Sequence, residues 1–213
     1  MKNLLVILVG LLLTSGSLFG QQKDADDYNK TIKKYRKDYV KALLTDERAP
    51  LESKKQAKLV EFYEPNEDFV VKCLFIGTSQ QKPFEMATYS GETKPYIKYG
   101  ELLFEIEGKG THRISVYQSL KALKLPQYKD HLFVPFKDLT TGESTYGGGR
   151  YIDLRQSDID KGIVNLDFNK AYNPWCAYSD GFSCPIPPQE NELNIAIEAG
   201  ELAFAKDQED EKS

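Results

Sequence analysis

Tyr146-Gly147-Gly148-Gly149-Arg150 stands directly before a strand-like segment that begins Arg150-Tyr151-Ile152-Asp153-Leu154. Three consecutive glycines expose backbone N–H groups and let a ligand come close to the chain. An arginine beside them can grip a carboxylate or phosphate with two parallel hydrogen bonds. The loop is not a nucleotide-binding loop: it lacks Gly-Lys-Ser/Thr and does not open a helix. A second reading has the same loop turning tightly, with Arg150 paired internally to Asp153, Asp167 or Glu201. Downstream, Asp167-Phe168-Asn169 and Tyr172-Asn173-Pro174 offer side-chain oxygens that tie turns or meet a hard cation. Turn tying is the commoner use, and no metal site is expected. Tyr146, Tyr151, Tyr172, Trp175 and Tyr178 crowd the same block, and aromatic faces beside Asn and Asp suit a sugar or another flat-faced ligand as well as a core.

Three functional readings follow. The first is a binding module for a small polar or anionic molecule, contacted by Tyr146, Gly148, Gly149, Arg150, Tyr151, Asn169, Tyr172 and Asn173, with no cofactor. The second is a hydrolase in which Asp153, Asp167 or Glu190 serves as acid or base. The third is a closed polar network that staples the fold and binds nothing. Other chemistries find little support. His112 and His131 are the two histidines, and their positions on or just ahead of strands suit structural roles. Gly-x-Ser-x-Gly and Cys-x-x-Cys are both absent. The acidic run at 158–162 starts like a calcium loop and fails at Gly162.

Compartment is written at the N-terminus. A short cationic start, an apolar run at 4–13 and a small, polar stretch to Gly20 read as a secretory signal peptide over 1–20. The run is too short to span a bilayer, which needs about 20 residues, so no membrane span is expected and the chain is read as exported, to the periplasm or beyond. A net charge of -4 gives no nucleic-acid footprint. In an oxidising compartment Cys176 and Cys184 read as a disulfide. Cys73, on the inward face of an apolar strand, reads as a buried, inert thiol. The oligomeric state is left open.

The elements that must position these groups are mostly strands. An amphipathic helix is expected over 24–46, with Tyr28, Ile32, Tyr35, Tyr39 and Leu43 as its apolar stripe, and a shorter helix over about 51–60. Strands are expected at 69–76, 84–89, 101–107, 112–117, 132–136, 150–154, 163–168 and 193–198, with a hairpin turning at Gly108-Lys109-Gly110. Short strands between Gly and Asp turns point to a mainly β fold: an antiparallel sandwich or partly closed barrel with the N-terminal helix packed on it. The boundaries are one domain over 21–205 and a charged, frayed tail over 206–213. Pro185, Pro187 and Pro188 impose an extended path after Cys184, so that with the disulfide they form a rigid clip.

The C-terminal block resembles an uncharacterised bacterial and archaeal family, domain-of-unknown-function family 1684. The matching residues are Phe136, Asp138, Thr145-Tyr146, Gly149-Arg150-Tyr151, Asp153-Leu154, Asp167-Phe168-Asn169, Ala171-Tyr172-Asn173-Pro174, Cys176-Ala177-Tyr178, Cys184-Pro185, Pro187-Pro188, Glu190-Asn191 and Ala199-Gly200-Glu201. With a weaker match upstream the resemblance covers nearly the whole chain after the leader. It implies membership and carries over no catalytic role.

Overall fold

The computed structural model describes residues 15–79 and 81–205. The leader reading over 1–20 lies outside the described residues for 1–14, while 15–20 open the first helix; the tail reading over 206–213 lies wholly outside them. A long helix, α1 (Ser15–Thr45), is followed by a single turn, α2 (Lys54–Ala57). Seven strands follow: β1 (Val70–Gly77), β2 (Phe84–Ala87), β3 (Thr93–Ile106), β4 (Gly110–Ser119), β5 (His131–Phe136), β6 (Arg150–Arg155) and β7 (Ile163–Asp167). All pair antiparallel in the order β6-β5-β4-β3-β1-β7, with β2 against β3. The sheet curls into a half-barrel with the helix at one side.

Strand alternation sorts the side chains onto two faces. The inner face carries Leu102, Phe104, Ile114, Val116, Leu132, Val134, Phe136, Ile152 and Leu154, which with Val71, Cys73, Val164 and Leu166 form the main core. The opposite face of β3 to β6 carries Tyr96, Tyr117, Phe133 and Tyr151, a second, aromatic cluster. The registers put Tyr117 beside Phe133 and Phe133 beside Asp153, a continuous row across three strands. β3 begins eight residues earlier than its alternating pattern suggests. A register shift between Lys98 and Gly100 lets the strand continue past that point, carrying Lys94 and Tyr96 to the aromatic face.

Three expectations need correction. The stretch 193–198 is irregular, although Leu193, Ile195 and Ile197 are buried alternately as a strand's would be. It forms no regular ladder: Leu193 N–H donates to the Lys137 carbonyl and the Ile195 carbonyl accepts from Leu139, but further on the Ile197 N–H donates to Asp138 Oδ2 at 2.7 Å and the Ile197 and Ala199 carbonyls accept from Arg150. The helix stripe is also shifted. Ile32 and Leu43 are buried, but Tyr35 is exposed and Arg36 turns inward. Arg36 donates to the carbonyls of Tyr63 at 2.6 Å and Asn169 at 3.3 Å and lies 4.8 Å over the Phe62 ring. A buried guanidinium with such partners is tolerated where an exposed one would be expected from its type. The short second helix shrinks to one turn, started by a reciprocal Ser53–Gln56 capping box.

Candidate functional site

Arg150 begins β6, and its parity places it on the inner face with Ile152 and Leu154. It is wholly buried. Its guanidinium pairs with Asp138 at 3.3 Å, donates to the Ile197 carbonyl at 3.0 Å and to those of Ala199 and Glu201, and lies 5.2 Å over the Phe136 ring. Burial lowers its pKa, and the Asp138 carboxylate works against that shift. Asp138 in turn accepts from Thr140 and from the Ile197 N–H. Every partner of the guanidinium lies inside the protein, although its Nε is left without one, and Arg150 lines no cleft among the described residues, so it is not placed to clamp a ligand.

The glycine loop is filled from within. Gly149 has φ 84°, and a Cβ there would meet the Phe136 carbonyl at 2.6 Å and Pro187 at 2.9 Å. The close approach that glycine permits is therefore the chain's own. The Gly148 carbonyl accepts from the Tyr89 hydroxyl at 2.9 Å, and the Gly149 N–H from this loop donates to Tyr146 O. Tyr146 packs with the cluster of Leu43, Leu51, Tyr178 and Phe204 between helix and clip.

Asn169 and Asn173 are wholly buried and tie segments together. Asn169 exchanges hydrogen bonds with the backbone of Asn66 and also donates to Asp167. Asn173 donates its side-chain amide to the Leu202 carbonyl and its N–H to Glu201. Glu201 accepts from Tyr178 and Tyr39 as well, linking α1 to the C-terminal block. Burial raises the Glu201 carboxyl to about 7 against these hydrogen bonds, which favour the ionised form. Asp167 accepts from the Tyr28 hydroxyl of α1, and Glu190 from Tyr117 and Lys98. The three candidate carboxylates thus have separate partners, and the fold does not gather them into one site.

Tyr151, Asp153 and Tyr172 do come together, on the aromatic face. They line an open cleft of about 730 Å³ with Tyr96, Phe133, Trp175 and Phe182. The Phe133 and Tyr151 rings meet edge to face at 4.7 Å, and Trp175 and Phe182 at 5.2 Å. One wall is polar. His131 Nε2 lies 2.9 Å from Asp153 Oδ1, and the Tyr172 hydroxyl donates to Asp153 Oδ2 at 3.0 Å. His131 and Asp153 face the same way because both sit at odd positions of paired antiparallel strands. Burial pushes the Tyr172 phenol well up, with the Asp153 charge adding to it.

The clip forms the other side. Tyr172 pairs with Tyr151 through two backbone hydrogen bonds, extending the sheet edge. The chain then turns through Pro174 and Trp175 to the disulfide Cys176–Cys184, whose Cα atoms are 6.3 Å apart. Its return arm pairs with the strand-like stretch around β2: Tyr89 N–H donates to the Cys184 carbonyl and Ile186 N–H to Ala87. The Tyr151 hydroxyl donates to the Pro185 carbonyl. Trp175 and Phe182 are therefore set over the sheet by a loop closed covalently at its base.

Sequence reasoning missed Tyr96, Phe133, Lys94, Arg48 and Phe182 as cleft residues and set His131 aside. Parity along β5 and β6 could have joined His131 to Asp153. The other residues meet only through non-local pairing.

The model of a protein family of unknown function, DUF1684, matches residues 55–202. The chain belongs to this family. The match spans β1 to β7 and the clip, so the family region holds the Arg150 network and all of the cleft lining except Arg48. An uncharacterised protein of Haloarcula marismortui, known from a solution NMR structure, is similar at 28% identity. The comparison covers 86% of this chain and 98% of that one, with a TM-score of 0.65. No curated protein matches the chain. Among the described residues no three His, Cys, Asp or Glu side chains gather to hold a metal, and no helix is long and apolar enough to cross a membrane. Cys73 is a buried free thiol whose pKa burial pushes up to about 12.

Proposed function

We propose that the protein binds a small ring-bearing polar ligand, a monosaccharide or similar molecule, in the aromatic cleft. The observation that carries this reading is the cleft itself: aromatic walls of Tyr96, Phe133, Tyr151, Tyr172 and Trp175 facing one polar wall of Asp153 and His131. Binding sites are commonly concave and mostly apolar, with a few fixed polar groups that set orientation. Asp153 is fixed by His131 and Tyr172 yet stays about half exposed, at 47%, which leaves its oxygens open to ligand hydroxyls. The binding set is thus Tyr151, Asp153 and Tyr172 from the two sequence segments, completed by distant strands. The disulfide supports the reading of an exported protein, since such bonds persist in oxidising compartments.

Trp175 is the chain's single tryptophan and lines the cleft, so its emission reports occupancy. Titration with glucose, N-acetylglucosamine and glucuronate is expected to give a saturable change for at least one, weakened roughly tenfold in Asp153→Asn. A chain whose emission responds to none of them, or responds equally after Asp153→Asn, contradicts the reading.

One observation favours a hydrolytic second reading: the His131–Asp153 contact, in which a carboxylate orients an imidazole at the wall of a cleft. Loss of a measured hydrolysis in His131→Ala with ligand binding retained is the outcome that reading requires.

A further inference from the structure

The cleft is not electrically uniform. Lys94 at the start of β3 and Arg48 in the turn after α1 both line it, together with one acid, Glu92, just ahead of β3. Lys121, in the turn after β4, lies near enough to act on the Lys94 charge. The Lys94 ammonium is half-buried and donates to a neutral group, the Ser183 carbonyl in the clip. Burial lowers its pKa, Lys121 and Arg48 lower it further, and the one acid acting on it, Glu92, opposes them. The Arg48 guanidinium lies 5.8 Å from the centre of the Phe182 ring, a second cleft residue. Asp153 is bonded to His131 and Tyr172 and is not among the charges that act on Lys94.

The geometry points to an anion subsite at the Lys94–Arg48 end of the cleft, so that the ligand is an acidic sugar: a pyranose bearing a carboxylate or phosphate, its hydroxyls turned to Asp153. This deepens the cleft-binding reading and rests on it. A cleft polarised in this way complements a ligand with negative charge at one end and hydrogen-bond donors at the other. Lys94 and Arg48 set two cations against one carboxylate, Glu92, at this end of the cleft, and the excess positive charge attracts an anion. The ammonium bond to Ser183 leaves two further protons on Lys94 for a ligand oxygen. The arginine side chain, planar and stacked on a ring, suits a carboxylate or phosphate oxygen pair.

Calorimetric titration of methyl glucoside, glucuronate and glucose 6-phosphate tests the subsite on the full protein. The two acids are expected to bind at least about tenfold more tightly than the neutral glucoside. That preference is expected to shrink as salt rises from about 20 to about 300 mM, because exposed charges are screened. Lys94→Gln is expected to remove most of it. Arg48→Gln, at an exposed turn, provides a second variant should Lys94→Gln disturb the clip. Equal affinity for neutral and acidic sugars, or a preference untouched by both variants, overturns the subsite and leaves the cleft reading standing. If no sugar of either kind binds, the cleft reading fails and the subsite fails with it. Tighter binding by the phosphate than by the carboxylate, or the reverse, says which head group the subsite was built for, and either supports it.

Discussion

Two neighbouring regions of this molecule use the same residue types to opposite ends. Around Arg150 a guanidinium, two carboxyls and several amides lie wholly buried, each spent on backbone carbonyls and N–H groups of the irregular C-terminal segment. One residue further along β6, Tyr151 and then Asp153 look out of the opposite face into an open cleft. The difference is strand parity alone. Polar groups on the inner face must find every partner within the protein, since an unmatched buried charge is expensive. Those on the outer face can keep capacity for a ligand. The lesson is that the density of Gly, Asn, Asp and Arg in 145–201 marks two things at once, a staple and a site, and only the alternation tells them apart.

The comparison is broken most forcefully at its buried member. Arg150→Ala leaves Asp138 as a buried carboxylate without its cation, and the loss of stability is expected to reach about 3 to 5 kcal/mol. Urea denaturation measures it. A change below about 1 kcal/mol would show that the network is not what secures the C-terminal segment. The glycine loop sharpens the point. Gly149→Ala sets a side chain at positive φ against the Phe136 carbonyl and is expected to cost about 1 to 3 kcal/mol, whereas Gly147→Ala, at ordinary φ and 3.8 Å from its nearest neighbour, should leave stability nearly unchanged. A ligand cradle would instead show both substitutions through lost binding rather than through lost stability.

Glu201 gives the network a pH signature. Its folded-state pKa of about 7 lies above the ordinary 4.5, so the folded protein holds that proton more tightly than the unfolded chain. The group's contribution is therefore full below about 4.5 and is lost as pH rises toward 7. A fall on the order of 2 kcal/mol is expected across that window, and Glu201→Gln should flatten it. Thermal denaturation at pH 5 and pH 8, wild type against variant, measures the difference. A profile that rises with pH and is unaltered by the substitution contradicts the assignment.

Much of the fold is legible in the amino-acid order. The alternation at Leu102, Phe104 and Ile106, the turn at Gly108-Lys109-Gly110 and the runs at β1, β5 and β7 each mark a strand by local pattern. The pairing of Cys176 and Cys184 is legible from their spacing and from the expectation of an exported chain. What escapes is what depends on distant partners. The stretch at 193–198 reads as a strand because its apolar residues alternate, but its hydrogen bonds go partly to the backbone of Lys137 and Leu139 and partly to the side chains of Asp138 and Arg150, all far away in sequence. Tyr35 reads as a buried residue of the helix stripe, because helix periodicity does not reveal that the carbonyls of Tyr63 and Asn169 wait opposite Arg36 instead. The cleft is assembled from the turn after α1, the extended start of β3, β5, β6 and the clip, and no local window contains it. Arg150 and Tyr151 stand side by side in the sequence and so look like one site; in a strand, adjacency means opposite faces.

The central claim is that the ligand enters the cleft and leaves the Arg150 network untouched. Backbone amide shift mapping by NMR during titration with glucuronate tests it most directly. The account predicts saturable shifts at Lys94, Tyr151, Asp153, Tyr172, Trp175 and Phe182, with Gly147, Gly148, Asn169 and Asn173 still. Shifts centred on the glycine loop and those two asparagines, with the cleft residues unmoved, would contradict it.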